Sequence, residues 1–262
     1  MQMLVLVPFI FTINDGDLVQ SPKRIISGMP AITEMLYALD LGSNIVGVTT
    51  NCNYPPEARK VEKVGGFTLN IEKIISLKPD LIILQGDAQA PEVEKLKKYG
   101  LPLYVINPIT IDDVLACLLE IGKKTGKSER AERLVWRIKG QLRRARPHDL
   151  KSLLGQPKVL VVVGMNPMVM AGGGSFIDDI VKYAGGINIA QGAKGAYPQY
   201  SYEMLLNEKP DLIVVPKTLA VKEQWIGYKG RILAVDGDIL LRPGPRVGDA
   251  VEQIAGAING KK

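Results

Sequence analysis

The feature that most constrains this chain of 262 residues is an internal repeat. The segment NIEKIISLKPDLIIL, which begins at Asn70, resembles SYEMLLNEKPDLIVV, which begins 131 positions later (201 − 70) at Ser201. Each copy has a polar residue that can cap a helix, apolar residues at helical spacing, a Lys-Pro-Asp step and an apolar run of strand length. Because proline lacks the amide that a continuing helical turn needs, the repeat predicts a short helix that stops there and leads into a buried parallel strand.

Each half of the chain also opens with a predicted strand followed by a helix. The strands are expected at residues 23–27 and 158–164, and the helices at residues 32–39 and 176–184, each ended by glycine. Strands that alternate with helices indicate parallel sheets covered by helices. The sequence therefore predicts an α/β fold of two lobes with mainly parallel sheets.

A long helical pattern lies between the two halves. Ser128 is a suitable N-cap, and one apolar stripe runs through Ala131, Leu134, Val135, Ile138 and Leu142. About 20 residues of helix span about 30 Å, so we expect a stiff strut that allows only a small relative motion of the lobes. The predicted organisation is an N-terminal lobe at residues 1–126, a linking helix at 127–154 and a C-terminal lobe at 155–262.

The overall composition argues for an ordinary globular protein and against a nucleic-acid partner. Hydrophobic residues make up 46% of the chain and charged residues 23%. The net charge is +6, but the basic residues are interleaved with acidic ones. The basic run of Arg143, Arg144 and Arg146 falls at a predicted helix C-terminus, where cations are favourable.

The first residues are strongly apolar but too few to span a bilayer. We interpret residues 1–7 as the remnant of a secretion signal, with a mis-set start and a first strand as alternatives. The alternation of Phe9, Phe11 and Ile13 before a turn favours a hairpin strand from Phe9 onward. No cysteine follows that could carry a lipid anchor.

Cysteine and histidine are too few for most catalytic or metal chemistry. Cys52 and Cys117 form no paired motif and are expected to be free thiols. His148 is the single histidine, which excludes a metal site of several histidines and makes a catalytic triad improbable. A metal-cluster oxidoreductase would need more cysteine ligands. We therefore expect no catalytic residue, no metal and no cofactor, which argues against an enzyme.

Several motifs together resemble the helix-backboned class (class III) of periplasmic solute-binding proteins, closest to its cobalamin-binding branch. The segments that carry the resemblance cover most of the chain and are, in order, VGVTT (from Val46), NYPPEA (Asn53), NIE (Asn70), LKPDLI (Leu77), YPQYSYE (Tyr197) and GPR (Gly244). The resemblance implies an extracytoplasmic protein, in the periplasm or on the outer face of the membrane. We expect a monomer that holds a small-molecule ligand between two lobes and delivers it to the permease dimer of an ABC importer.

The same resemblance implies that Glu72 and Glu203 dock onto arginines of the two permease subunits. Carboxylate–guanidinium pairs are charge-assisted and can be bidentate, and one acid on each repeat suits a two-fold symmetric partner. The alternative is that each glutamate only benefits from its place in the first turn of a helix.

The resemblance also implies a set of ligand-binding residues in loops at the strand ends: Met29, Asn51, Phe67 and Asp87 in the first lobe, and Asn166, Tyr197, Asp238, Arg242 and Arg246 in the second. Rings at Phe67 and Tyr197 would suit a broad, partly apolar macrocycle. Phe67 could instead belong to the core, Arg242 and Arg246 could form salt bridges within the protein, and Trp225 is expected to pack rather than to contact ligand. The glycine-rich segment from Gly172 to Ser175 is expected to be a plain loop, although its amides could meet an anion.

This chain departs from the cobalamin-binding pattern at three positions. Asn51, Ile239 and Leu240 stand where aromatic residues are expected. These departures argue against cobalamin itself and leave a differently substituted corrinoid or another macrocycle open. The order of expected ligands is a corrinoid first, a ferric siderophore second and haem third. Haem would need an axial ligand, for which Tyr54, Tyr197, Tyr200 and Tyr202 are candidates.

Overall fold

The computed structural model describes residues 21–146, 155–221, 225 and 227–260. The predicted signal remnant at residues 1–7, the hairpin strand from Phe9 and the histidine His148 lie outside these residues. The chain divides into two compact units. The first contains the described residues up to Pro108 together with Leu115–Leu134, and the second contains Ile109–Val114 and the described residues from Val135 onward.

The first unit is built on a sheet whose strand pairs are all parallel. Its strands are β1 (Ile25–Ser27), β2 (Ile45–Val48), β3 (Leu81–Gln85) and β4 (Leu103–Ile106), in the order β2-β1-β3-β4. The helices that follow them in the chain are α1 (Pro30–Ala38), α2 (Ile71–Ser76), α3 (Gly86–Lys98) and α4 (Ile111–Lys124). The central strands β1 and β3 are almost wholly buried, as the continuous apolar runs predict.

The second unit repeats this plan with one antiparallel edge. Its sheet has the order β6-β5-β8-β9, in which β5 is Lys158–Met165, β6 is Met168–Met170, β8 is Leu212–Pro216 and β9 is Arg231–Val235. The short strand β7 (Ile187–Asn188) also pairs with β5. Among the strands that the structure describes in this unit, only β6 runs antiparallel, as a hairpin with β5. The helices are α6 (Phe176–Tyr183), α7 (Tyr202–Glu208), α8 (Gly237–Leu241) and α9 (Val247–Ile258). The α/β fold with mainly parallel sheets is confirmed.

The helix between the halves, α5 (Ser128–Ala145), begins where the sequence predicts. All five residues of its predicted apolar stripe are buried: Ala131, Leu134, Val135, Ile138 and Leu142. Arg143 and Arg144 occupy its last turn, as expected. The boundary between the two compact units falls inside this helix.

The two copies of the repeat have the same local structure. Helix α2 is capped by Asn70, whose Oδ1 accepts the Lys73 amide, and α7 is capped by Ser201, whose hydroxyl accepts the Met204 amide. Both helices end before the proline, because Lys78 and Lys209 turn into left-handed backbone with φ of 45° and 48°. Each helix therefore ends before the proline itself, α2 at Ser76 and α7 at Glu208.

The aspartate of each Lys-Pro-Asp step accepts hydrogen bonds from the backbone at the start of the first strand of its unit. The carboxylate of Asp80 accepts the amides of Lys23 and Arg24, both at 2.8 Å, just before β1. Asp211 accepts the amide of Lys158, the first residue of β5, also at 2.8 Å. The sequence did not predict this role, which joins the end of each repeat helix to the strand that opens the same half.

Candidate ligand-binding and docking residues

Three of the predicted ligand-binding residues lie at one edge of the first sheet. Met29 follows β1 by two residues, Asn51 follows β2 by three and Asp87 follows β3 by two. Because these strands are parallel, their carboxyl ends meet at the same edge, where open α/β sheets bind ligands. Asn51 and Asp87 are exposed and Met29 is half-buried. The three residues therefore lie in loops at one edge of the sheet, and their contact with a ligand stays a prediction.

A buried glutamine that the sequence reasoning missed fixes the backbone at this edge. The side chain of Gln89, 1% exposed, donates to the Gly28 carbonyl oxygen at 3.0 Å and accepts the Gln85 amide at 3.2 Å. It thus ties the loop after β1 to the end of β3. A side chain at Gly28 would lie 2.3 Å from Leu84 Cδ2, so glycine is required for this close approach. The available signal was a glutamine placed between a strand end and a helix, which is weak.

Phe67 is exposed rather than part of the core, so the core alternative is wrong. It lies at the tip of a loop closed by a bridge between Gly65 and Leu69, and 69% of its surface is exposed. The carboxylate of Glu92, itself 5% exposed, accepts the Leu69 amide at 3.2 Å and pairs with Lys95. The loop is therefore anchored at its base, and the ring at its tip is available to a ligand.

In the second unit, Asn166 and Tyr197 also lie in exposed loops. Asn166 is in the turn of the β5–β6 hairpin. Tyr197 is 53% exposed and lies between β7 and α7, as predicted. Backbone hydrogen bonds from Met170 to Pro198 (3.0 Å) and from Gly172 to Ala196 (2.9 Å) hold the segment on either side of it. Desolvation raises the pKa of its hydroxyl above the usual 10.

Arg242 already has an acidic partner within its own segment. Its guanidinium lies 2.7 Å from the carboxylate of Asp238, at the end and the start of α8, and the Arg242 side chain is only 13% exposed. This ion pair supports the salt-bridge alternative for Arg242 rather than a pairing with an anionic ligand. Arg246 is half-buried at the start of α9.

Two of the positions that depart from the cobalamin-binding pattern differ in how deeply they are buried. Leu240 is fully buried, so it belongs to the core and offers no surface for a ligand. Ile239 is half-buried beside it.

Trp225 is 5% exposed, and its indole NH donates to the Leu219 carbonyl oxygen at 2.9 Å. The expectation that Trp225 packs rather than lines a site is confirmed.

The glycine-rich loop before α6 carries its own internal anion. The buried carboxylate of Asp178 accepts the Gly174 amide at 3.2 Å and the Asn188 side-chain amide at 2.9 Å, and it pairs with Lys182. Ser175 caps the helix by accepting the Asp178 amide. A second anion there would meet this carboxylate at close range, so the expectation of a plain loop is supported.

Glu72 and Glu203 occupy the same position in the two repeat helices. Each is the second residue of its helix, each is exposed, and neither forms an ion pair within the described part of the chain. The neighbouring Lys73 instead pairs with Glu62 at 2.9 Å. The structure therefore places one exposed carboxylate at the equivalent point of each unit, as the repeat predicts.

Cys52 and Cys117 are not joined in a disulfide, as expected. Over the described ranges, no three histidine, cysteine, aspartate or glutamate side chains come together in a way that could hold a metal ion. The same part of the chain contains no helix that is both long and apolar enough to cross a membrane.

Comparison with known proteins gives a consistent result. The chain is 31% identical over 94% of its length to an uncharacterised ABC transporter substrate-binding lipoprotein, YvrC of Bacillus subtilis, covering 82% of that protein. It is 30% identical over 89% of its length to the vitamin B12-binding protein of Pectobacterium carotovorum, covering 87% of that protein.

Solved structures agree with these relatives. The periplasmic vitamin B12-binding protein BtuF of Vibrio cholerae matches with a TM-score of 0.81 and 28% identity, covering 92% of this chain and 98% of that one. The periplasmic heme-binding protein RhuT of a Roseiflexus species matches with a TM-score of 0.78 and 27% identity, covering 91% and 98%. The periplasmic binding protein family itself matches residues 25–241. The chain therefore belongs to the periplasmic binding protein family.

Proposed function

We propose that this chain is the extracytoplasmic substrate-binding protein of an ABC importer and that its ligand is a corrinoid. The observation that carries the proposal is that a candidate ligand loop of each unit presents an exposed aromatic ring, Phe67 at 69% and Tyr197 at 53% exposure. Both stand on anchored loops of a fold shared with vitamin B12-binding proteins. Exposed aromatic faces suit a broad, partly apolar macrocycle, since they bury large area at little entropic cost.

Polar groups in the other candidate loops would orient the ligand. Asn51 and Asp87 are exposed at the sheet edge of the first unit, and Asn166 is exposed in the second. Amides and carboxylates of this kind can pair with the amide side chains at the rim of a corrin. The role requires binding and release without chemical change, which agrees with a family of binding proteins.

The second candidate, haem or a ferric siderophore, is supported by the heme-binding RhuT among the similar structures. Tyr54 is 44% exposed and follows Asn51 closely, so its hydroxyl could serve as an axial ligand. Haem carries negative charge on its two propionates, and so do carboxylate and catecholate siderophores, whereas a ferric trishydroxamate does not. Arg242, a candidate for pairing with that charge, is already matched by Asp238. This ion pair leaves Arg242 less available to an anionic ligand, which supports a corrinoid over haem.

We further propose that the protein works as a monomer, in the periplasm or on the outer face of the membrane, and presents Glu72 and Glu203 to the two permease subunits. Their equivalent, exposed positions in the repeat support this role. A negative charge also favours the first turn of any helix, but that effect does not require both copies to keep the carboxylate exposed.

The ligand proposal is tested by isothermal titration calorimetry with cyanocobalamin, dicyanocobinamide, haemin and a ferric hydroxamate siderophore. We expect submicromolar binding of a corrinoid at a stoichiometry of one, and weaker binding of the others. The comparison of cobalamin with cobinamide separates recognition of the corrin ring from recognition of the nucleotide loop. Tight binding of haemin or of the siderophore with no corrinoid binding would reject the corrinoid and select the second candidate.

A further inference from the structure

Two exposed aliphatic side chains lie one helical turn beyond the two exposed glutamates. Ile75 follows Glu72 by three residues and is 43% exposed, and Leu206 follows Glu203 by three residues and is 39% exposed. Residues three apart on a helix are neighbours on one face. Each unit therefore presents a carboxylate and an aliphatic side chain next to each other, at the same positions of the repeat.

The packing of these helices does not account for the two aliphatic residues. Ile74 and Leu205 are the fully buried residues that join α2 and α7 to the cores of their units. Ile71 and Tyr202, again at equivalent positions, pack against those cores. The inner face of each helix is thus complete without Ile75 or Leu206. An aliphatic residue that stays in water gains from burial only when a partner covers it.

We infer that Glu72 with Ile75, and Glu203 with Leu206, form two like docking pairs for the permease subunits of the importer. The inference rests on the proposed function. It adds an aliphatic contact to the charged contact that each unit offers. The partner that fits is one that offers the same contact twice, a basic side chain beside an apolar surface. The same pair of residue types at both repeat positions suits a partner made of two like subunits.

The two members of each pair should act on different steps of association. Exposed charges mainly steer the encounter and make it sensitive to salt, whereas buried apolar contacts mainly slow dissociation and depend little on salt. Removing the aliphatic residues should therefore weaken the complex without changing its response to ionic strength. This separates their contribution from that of the glutamates.

The test is the double variant Ile75→Gln with Leu206→Gln, measured by biolayer interferometry against the cognate importer in nanodiscs over a range of NaCl concentrations. Glutamine is a good helix former of similar length, so the helices should persist. The control is Leu119→Gln with Ile232→Gln, one in each unit, each 38% exposed and outside the repeat helices. We expect roughly ten-fold weaker importer binding for the test variant, through faster dissociation, with an unchanged salt dependence and unchanged corrinoid affinity.

Importer affinity within two-fold of the parent protein, or equal weakening in the control, would overturn the inference while the proposed function stands. A steeper or flatter salt dependence would also contradict it, because it would mean that the glutamates had been disturbed. If the parent protein bound ligand but not the importer, the proposed function would fail, and the docking pairs with it.

Discussion

Lys78 and Lys209 stand at equivalent points of the two repeats and share a left-handed backbone, with φ of 45° and 48°. Residues with a Cβ pay about 1 kcal/mol for this conformation, and glycine does not. Lys78→Gly and Lys209→Gly should therefore raise the stability of the protein by about 0.5 to 1 kcal/mol each, or a few degrees in melting temperature. Differential scanning calorimetry measures the shift. Lys139→Gly, at an exposed position inside α5, is the control and should have the opposite sign, since glycine destabilises a helix interior.

The aspartates of the same steps give a second prediction. Asp80 accepts two strand amides at 2.8 Å, and Asp211 accepts one at the same distance. Asparagine keeps one acceptor but turns an NH₂ group toward the strand. Asp80→Asn should cost about 1 to 2 kcal/mol, and Asp211→Asn less, because one of its oxygens can still accept the single amide. Urea unfolding followed by circular dichroism would show this order. Glu57→Gln, an exposed acid without such a role, is the control, and an equal loss there would contradict the argument.

The repeat was enough to predict the fold class, both repeat helices, the strands that follow them and the equivalence of Glu72 with Glu203. Apolar periodicity in α5 predicted its buried stripe for the same reason, since local spacing determines which face is covered. Interactions between distant residues could not be read this way. Gln89 bonding to Gly28, and Asp80 bonding to Lys23, join residues more than fifty positions apart.

Exposure was equally difficult to predict at single positions. Phe67 and Leu240 are both apolar residues in loop-forming or helix-forming stretches, yet Phe67 is 69% exposed and Leu240 is fully buried. The difference arises from the anchored loop around Phe67 and from the packing of α8, which depend on tertiary context. The ion pair between Arg242 and Asp238 was left open by the sequence for the same reason.

The two exposed rings give the most direct prediction about the ligand. Phe67→Ala and Tyr197→Ala should each weaken corrinoid binding by roughly ten-fold, because each removes an aromatic face that stacks on the macrocycle. Neither change should lower the melting temperature appreciably, since both side chains are mostly exposed. Tyr99→Ala removes a ring that is 61% exposed and not among the candidate ligand residues, and it serves as the control. Calorimetric affinities of the two variants equal to that of the control would remove the main support for the corrinoid.

Tyr228 predicts an alkaline limit to stability. Burial raises its pKa from 10.0 to about 12, and its hydroxyl donates to the Pro210 carbonyl oxygen at 2.8 Å. The folded state therefore keeps the proton more tightly than the unfolded state. Its contribution is complete below pH 10 and is lost progressively as the pH rises toward 12. Tyr228→Phe should be less stable at neutral pH by about 1 kcal/mol, and the difference from the parent should shrink between pH 10 and 12. A constant difference over that interval, measured by urea unfolding, would contradict the assignment.

A variant at the exposed acids Glu72 and Glu203 should impair delivery of the ligand to the importer without impairing ligand binding. The double variant Glu72→Arg with Glu203→Arg replaces two attractions by two repulsions at a basic partner surface, so we expect uptake of radiolabelled corrinoid to fall to background in cells that depend on this importer. Ligand affinity should stay within two-fold of the parent, because neither residue is among the candidates that contact ligand. The control Glu57→Arg with Glu208→Arg makes the same charge change at exposed acids of both units and should transport normally. Each single variant should retain partial uptake, since one attractive contact remains and the complex is weakened rather than abolished. Full uptake by the double variant would show that the repeated carboxylates serve only their own helices.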